Sequence, residues 1–325
     1  MRAIIQHQFG EPSEVLAVEE IATPEPGPGE VRLRILLSPI HNHDLWTAKG
    51  SYGFVPDLPA RAGTEAVGVV DALGDGVTGL QVGQRVATGG TFGVWAEYVI
   101  ARAAGLIPVP ESVSDESAAQ LVSMPFSAIA LIDWLGVGEG DWIVQNAANG
   151  AVGRLVAQLA AARGIRVLSL VRRAEGVDEL AAQGIGDAVA TDADDWRARV
   201  QEVTGGAPLR FGVESVGDAA AGKMLSLLAD GGTLVVFGAM QSPILRIASG
   251  DIIFRDLTVR GFWASKIGDE MPGDKRRALF GELLTRIASG ALTLPVGGIY
   301  PLEQISSAVT ANGEPGRAGK ILLKP

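Results

Sequence analysis

Cysteine is absent from all 325 residues. That absence removes disulfides, cysteine-ligated zinc and thiolate nucleophiles together. Histidine is scarce, with three copies at positions 7, 41 and 43, so few imidazoles remain for metal or acid–base work. There is no run of basic residues; the formal net charge is −10 and the sequence pI about 4.9. Such a balance is unfavourable for nucleic acid or an anionic membrane surface. Long apolar runs are missing too. The most apolar window, residues 118–137, is broken by Gln120, Pro125 and Asp133, which excludes a membrane-spanning helix. The opening MRAIIQHQFGE starts a strand-like pattern at once, with no signal-type apolar region and no Arg/Ser-rich transit segment. No internal repeat occurs. These absences lead to an expectation of a cytoplasmic chain with no nucleic-acid and no membrane partner.

What is present is apolar and rich in turns. Hydrophobic residues make up 47% and mean hydropathy is +0.25, which excludes a largely disordered chain. The 43 glycines and 17 prolines, many in short turns, point to a β-rich part. A chain of this length has room for two domains.

The most informative stretch is WIVQNAANGAVGRLVAQLAAARGIRVLSLVRR, residues 142–173. Residues 142–145 form a short apolar run, as a buried parallel strand should. Ala148-Asn149-Gly150-Ala151-Val152-Gly153 has G-x-G-x-x-G spacing, with Ala in first place. A helix is predicted over 151–163, because Val152, Leu155, Val156, Leu159 and Ala160 recur at helical period, and Gly164 is placed to stop it. A second strand follows over 166–171. In this order Gly150 admits a pyrophosphate to the backbone, Gly153 lets helix and strand approach, and the helix N-terminus favours the anion.

At the end of that second strand a NAD site normally has a carboxylate for the ribose 2′-hydroxyl. This chain has Val171, Arg172 and Arg173, and no carboxylate before Glu175. Two guanidiniums suit a 2′-phosphate, so NADPH is the expected cofactor.

Taken in order, residues 1–115 are β-rich, with strand-like segments at 3–6, 31–37, 66–72, 85–87 and 95–100 between PEPGPGE, GDG and GG turns. Ser114 is placed to cap a helix. Residues 116–136 are helical in pattern around Pro125, and 142–265 alternate strand and helix. A helix at 275–289, a turn at 297–301 and a strand at 320–324 then return to the first domain. The fold class expected is α/β, with a Rossmann dinucleotide-binding domain (116–265) inserted into a β-rich catalytic domain (1–115 and 266–325).

This layout resembles the medium-chain dehydrogenase/reductase superfamily, whose catalytic domain is GroES-like. The carrying segments are DLWTAKGSYGFVPDL (44–58), Gly63-Thr64-Glu65, QNAANGAVG (145–153), Val171–Arg173, FGAM (237–240) and IIFRDLTVRGFW (252–263). Within the superfamily the chain is similar to the zinc-free 2-enoyl-thioester reductase and quinone oxidoreductase branch. The resemblance implies a catalytic Tyr52 in Gly50-Ser51-Tyr52-Gly53. It also implies cofactor contacts at Asn149, Gly150, Ala151, Val152 and Gly153, and at Arg172 and Arg173. Phe237, Gly238, Met240, Phe262 and Trp263 would lie on the nicotinamide side, and Lys320 on the cofactor phosphate side. Departures are present: Met124 replaces an Asn that family members use toward the cofactor, with Ser127 following where the family has a small hydroxyl residue, and Thr64 stands where the enoyl reductases often have Asn and the zinc enzymes have His.

Metal is weighed on its own residues. His41, His43 and Glu65 are the candidate donors, since a His-x-His on an extended segment puts both rings on one face. The ligand set for a tetrahedral site is incomplete. The expectation is no metal, with both histidines bracketing a turn and bonded to backbone. The activity implied is NADPH-dependent reduction of the conjugated C=C of a 2-enoyl thioester. NADPH:quinone reduction and a non-catalytic NADPH-binding role are the rivals. Residues 257–262, a late and apolar strand, would need covering if they form a sheet edge, so a homodimer is expected.

Overall fold

The computed structural model describes residues 1–314, 316–317 and 319–325. The chain divides into two compact units, Met1–Ser123 with Gly281–Pro325, and Met124–Phe280. The insertion expected from the sequence is present, with its edges later in the chain than the change in pattern suggested. Residues 115–123 stay with the first unit because their polar groups are tied there. The Val122 and Ser123 N–H groups donate to Glu65, and Gln120 Nε2 donates to the Leu294 carbonyl. The second edge falls inside one helix, Gly273–Ala288.

In the inserted unit six strands pair in parallel. Across the sheet they run Ala188–Ala190, Arg166–Val171, Trp142–Gln145, Phe211–Glu214, Thr233–Val236, Thr258–Gly261. Numbered along the chain this is the doubly wound order 3-2-1-4-5-6, whose direction reverses between Trp142–Gln145 and Phe211–Glu214. Trp142–Gln145 is buried along its whole length, as a strand covered on both faces must be. The helix Ala151–Ala161 buries Leu155, Val156, Leu159 and Ala160. It ends earlier than the periodicity suggests. Gly164, at φ +71°, turns the chain, and the Ile165 N–H returns to the Ala160 carbonyl. A helix at Ala174–Ala181 was not anticipated. Thr258–Gly261 is the outer strand of the sheet, as expected for 257–262.

In the first unit the strand Glu30–Pro39 is the hub. It pairs antiparallel with Glu65–Leu73, Tyr98–Arg102 and Lys320–Lys324. Lys320–Lys324, from the chain's last residues, also pairs with Val296–Pro301, closing this unit from both ends of the sequence. The strand expected at 95–100 starts at Tyr98 instead. Trp95 is buried, with its indole N–H on the Pro39 carbonyl, and its backbone pairs elsewhere: its N–H donates to the Ala62 carbonyl and its own carbonyl accepts the Ile4 N–H. Gly63 lies against that indole; a Cβ there would come within 2.3 Å of the ring. Only glycine lets Thr64 and Glu65 follow so closely. Among the described residues no helix is long and apolar enough to cross a membrane.

Candidate functional site

In the inserted unit every residue expected to meet the cofactor lies past the carboxyl end of a strand. Such ends, beside the point where strand order reverses, are where doubly wound folds bind ligands. The glycine turn leaves Trp142–Gln145 through Ala147, which holds a left-handed φ of 48°. Gly150 caps the helix Ala151–Ala161, and Ala151, Val152 and Gly153 form its first turn. A Cβ on Gly153 would sit 2.6 Å from the Ala148 oxygen and 2.7 Å from the Ala148 Cα, so glycine is required for the close approach. Gln145 Nε2 donates to the Gly153 carbonyl at 2.8 Å and pins strand to helix. Asn149 is exposed, with its amide near Glu179. The helix therefore presents its N-terminus beside backbone that no side chain obstructs, which suits a pyrophosphate.

Arg172 and Arg173 follow Arg166–Val171 and are both exposed. Arg173 caps the helix Ala174–Ala181 and faces Glu175 at 3.9 Å. Arg172 has no ion-pair partner among the described residues. Phe237, Gly238 and Met240 follow Thr233–Val236, and their N–H groups donate to the Glu214 and Ser215 carbonyls. Phe262 is buried, stacked on Phe237 with ring centroids 5.7 Å apart and edge-on to Trp134. Trp263 is half exposed.

Sequence reading missed the clasp at the reversal point. Asn146 Nδ2 donates to Glu214 Oε1, and the Ser215 N–H donates to Asn146 Oδ1. The same carboxylate oxygen accepts the N–H groups of Val216 and Gly217. An Asn after one buried strand and a Glu ending another was the available signal.

The first unit assembles a different kind of site. His41 and His43 are not on an extended segment: Asn42–Ala48 is a helix that His41 caps, and Asp44 Oδ2 accepts the His41 N–H at 2.9 Å. An acidic residue three places after the cap was the overlooked signal. Both rings find side-chain partners. His41 Nε2 lies 2.5 Å from Glu65 Oε2, and His43 Nε2 lies 2.7 Å from Thr64 Oγ1. Side chains win because Thr64 and Glu65 enter the sheet alongside this helix, offering fixed polar partners where water is excluded. The Thr64 hydroxyl donates to Asp44 Oδ1 at 2.7 Å. The imidazoles stack, with centroids 4.9 Å apart, and the Tyr52 ring lies over His43 at 5.7 Å, tilted by 30°. Tyr52 is half-buried.

Lys320 joins this cluster. Its Nζ donates to the Ile40 carbonyl at 3.3 Å, in the field of Asp44 and Glu65. Its stem is partly exposed but its amine is dehydrated, and that burial, with Arg317 nearby, lowers Lys320 to about 8. Burial likewise raises Glu65 to about 7, against the opposing pull of the Ser123 and Val122 N–H groups. Burial holds His41 well below its ordinary range, in the neutral form.

Family models match both parts of the chain: an alcohol dehydrogenase GroES-like domain over residues 27–111 and a zinc-binding dehydrogenase over 151–278. The chain belongs to the medium-chain dehydrogenase/reductase superfamily, in its zinc-free branch of enoyl reductases and quinone oxidoreductases, and is an oxidoreductase. It is similar to the human mitochondrial enoyl-[acyl-carrier-protein] reductase, at 32% identity over 99% of this chain and 88% of that protein. Among solved structures, Escherichia coli quinone oxidoreductase complexed with NADPH superposes with a TM-score of 0.89 at 25% identity, covering 100% of both chains. A Pseudomonas syringae quinone oxidoreductase superposes with a TM-score of 0.88 at 28% identity, again covering 100% of both.

The zinc of the wider superfamily does not fit these residues. The chain has no thiolate, His41 Nε2 is engaged by Glu65, and the other Glu65 oxygen accepts two N–H groups. No three His, Asp or Glu side chains among the described residues are grouped to hold an ion.

Proposed function

We propose that this chain reduces the conjugated C=C of a 2-enoyl thioester with NADPH and without zinc. The observation that carries the reading is Tyr52, a half-buried phenol in Gly50-Ser51-Tyr52-Gly53, its ring tilted against that of His43 in a unit whose donor set does not suit a metal. NADPH, when bound, supplies a hydride for the β-carbon. Negative charge then develops on the thioester oxygen as an enolate, and the α-carbon must take a proton. Tyr52 is both a donor and a weak acid, so it can hold the enolate or protonate it.

The residues placed for the cofactor fit it. Gly150 and Gly153 give backbone room for the pyrophosphate at the helix start, and exposed Arg172 and Arg173 suit a 2′-phosphate. Phe237, Gly238, Met240 and Trp263 lie at the adjacent strand ends, with Phe262 packed on Phe237. Met124, which begins the helix Met124–Leu135, brings no amide where relatives carry Asn, so backbone carries more of the nicotinamide's placement. Quinone reduction is the second reading, favoured by the quinone oxidoreductases with matching folds. It needs the same cofactor site and no phenol.

Crotonyl thioester and a quinone, each assayed with NADPH and NADH, separate the two. Turnover of the thioester with NADPH supports the proposal; a chain inert toward every enoyl thioester but active on quinones ends it. We also assign a homodimer built on the outer strand Thr258–Gly261, which follows the exposed Ile253 and Phe254. Sedimentation showing a monomer at micromolar concentration would remove that assignment.

A further inference from the structure

The polar chain beneath Tyr52 has a direction. A threonine hydroxyl carries one hydrogen, and that of Thr64 goes to Asp44 Oδ1 at 2.7 Å. The 2.7 Å contact between Thr64 Oγ1 and His43 Nε2 therefore has the imidazole as its donor. This fixes the tautomer: neutral His43 carries its proton on Nε2 and presents a bare Nδ1. Asp44, Thr64 and His43 thus form an ordered series, a buried carboxylate behind a hydroxyl behind a base. Carboxylate-oriented bases work on the same logic in nucleophilic enzymes. Asp44 cannot swing away, since its second oxygen holds the His41 N–H and its side chain is 1% exposed. His43 is anchored at its own end of the series, yet its side chain is 20% exposed, and Nδ1 has no hydrogen-bond partner among the described residues. The Tyr52 ring is the aromatic neighbour on the open side, while His41, tied to Glu65, closes the other.

We propose that His43 is the positioning residue for Tyr52 and the station that returns its proton. The proposal rests on the enoyl-reductase reading. When the α-carbon forms its new C–H bond, the Tyr52 O–H bond breaks and leaves a phenolate. His43, protonated at Nδ1, gives that proton to the phenolate across one bridging water, returns to the neutral Nε2–H form, and is reloaded from solvent at its exposed edge. The electron pair enters the substrate as the hydride of the reductase reaction, so the step needs no further reductant. Thr64 and Asp44 hold the ring at the correct azimuth and stabilise its charged form through Nε2–H.

Three chains test this with crotonyl thioester and NADPH: wild type, His43→Ala, and Thr64→Val, which keeps both imidazoles and cuts the series behind them. His43→Ala should lower kcat by about 30-fold or more, within the span of general acid–base catalysis, with the KM for NADPH little changed. Added imidazole should restore turnover in proportion to its concentration. Thr64→Val should lower kcat by about 5- to 10-fold and enlarge the solvent deuterium isotope effect, as expected when proton transfer limits more of the rate. An unaltered kcat in His43→Ala overturns the proposal. So does a loss that imidazole leaves untouched while Thr64→Val keeps the wild-type rate and isotope effect. If the wild-type chain itself does not reduce enoyl thioesters, the enoyl-reductase reading falls and the relay falls with it. Wild-type turnover with indifferent variants removes the relay alone.

Discussion

Both units bury a carboxylate completely, and they use it differently. Glu214 in the inserted unit collects the Asn146 amide and the N–H groups of Val216 and Gly217 on one oxygen. Its partners are all at one crossing of the chain, so it fixes the shape of a turn. Glu65 in the first unit also takes two N–H groups on one oxygen, from Val122 and Ser123, but gives the other to His41. Around Glu65 lie a neutral histidine, a lowered lysine, Asp44, Thr64 and His43. The lesson is a division of labour. In the proposed function the inserted unit holds the nucleotide by geometry and surface charge, and the first unit, which concentrates its buried polar groups around Glu65, handles the proton.

The sharpest way to break this comparison is Tyr52→Phe, which deletes one hydroxyl and keeps the ring over His43. If proton chemistry belongs to the first unit, kcat for an enoyl thioester falls by about 10²-fold or more. NADPH affinity, read by titration of cofactor fluorescence, stays where it was. Quinone reduction loses much less. A mutant with wild-type enoyl turnover would remove Tyr52 from the mechanism.

The two units also differ in how much of them could be read from the sequence. In the inserted unit the signal is local: apolar runs of strand length, a glycine turn and a helical stripe follow one another within residues 142–173, and the structure keeps that order. That Arg172 and Arg173 directly follow a strand was legible for the same local reason. The first unit hides its logic in long-range contacts. His41 meets Glu65 across 24 residues, and Lys320 meets the Ile40 carbonyl across 280. No window of sequence contains such a pair. The short helix Asn42–Ala48 was missed because seven residues give little periodicity, and that error put both histidines on an extended segment. Domain edges moved for the same reason: the N–H groups of Val122 and Ser123 belong to a carboxylate far back in the chain.

A second prediction approaches the comparison from the nucleotide side. Replacing Arg172 and Arg173 together with Ala removes two charges that can grip a 2′-phosphate. NADPH affinity should fall at least tenfold while NADH affinity barely changes, and kcat at saturating NADPH should stay close to wild type. Salt should weaken wild-type binding of NADPH more than that of NADH, because exposed charges are screened. Equal losses for both cofactors would show that these arginines do not read the phosphate.

The smallest expected effect tests the first unit's buried charges. Glu65 has a folded value of about 7 against an ordinary 4.5, so between those values the native chain holds a proton that the unfolded chain has released. Its contribution to stability is complete below about 4.5 and is lost as pH rises through 7. Lys320 runs the other way. Lowered to about 8 from 10.5, it imposes a penalty that is full below 8 and relieved as pH climbs toward 10.5. The two together place the stability minimum of this cluster between Glu65 and Lys320, near neutral to slightly alkaline pH. Glu65→Gln keeps an oxygen for the Val122 and Ser123 N–H groups and removes the titration. Its melting temperature should therefore lack the wild-type decline between pH 5 and pH 7.5, a difference of roughly a few degrees for a chain of this size, while the rise above pH 8 persists. Melting curves of the two proteins that run parallel from pH 5 to pH 7.5 would mean that Glu65 carries its charge through folding, and that burial here is offset by its partners.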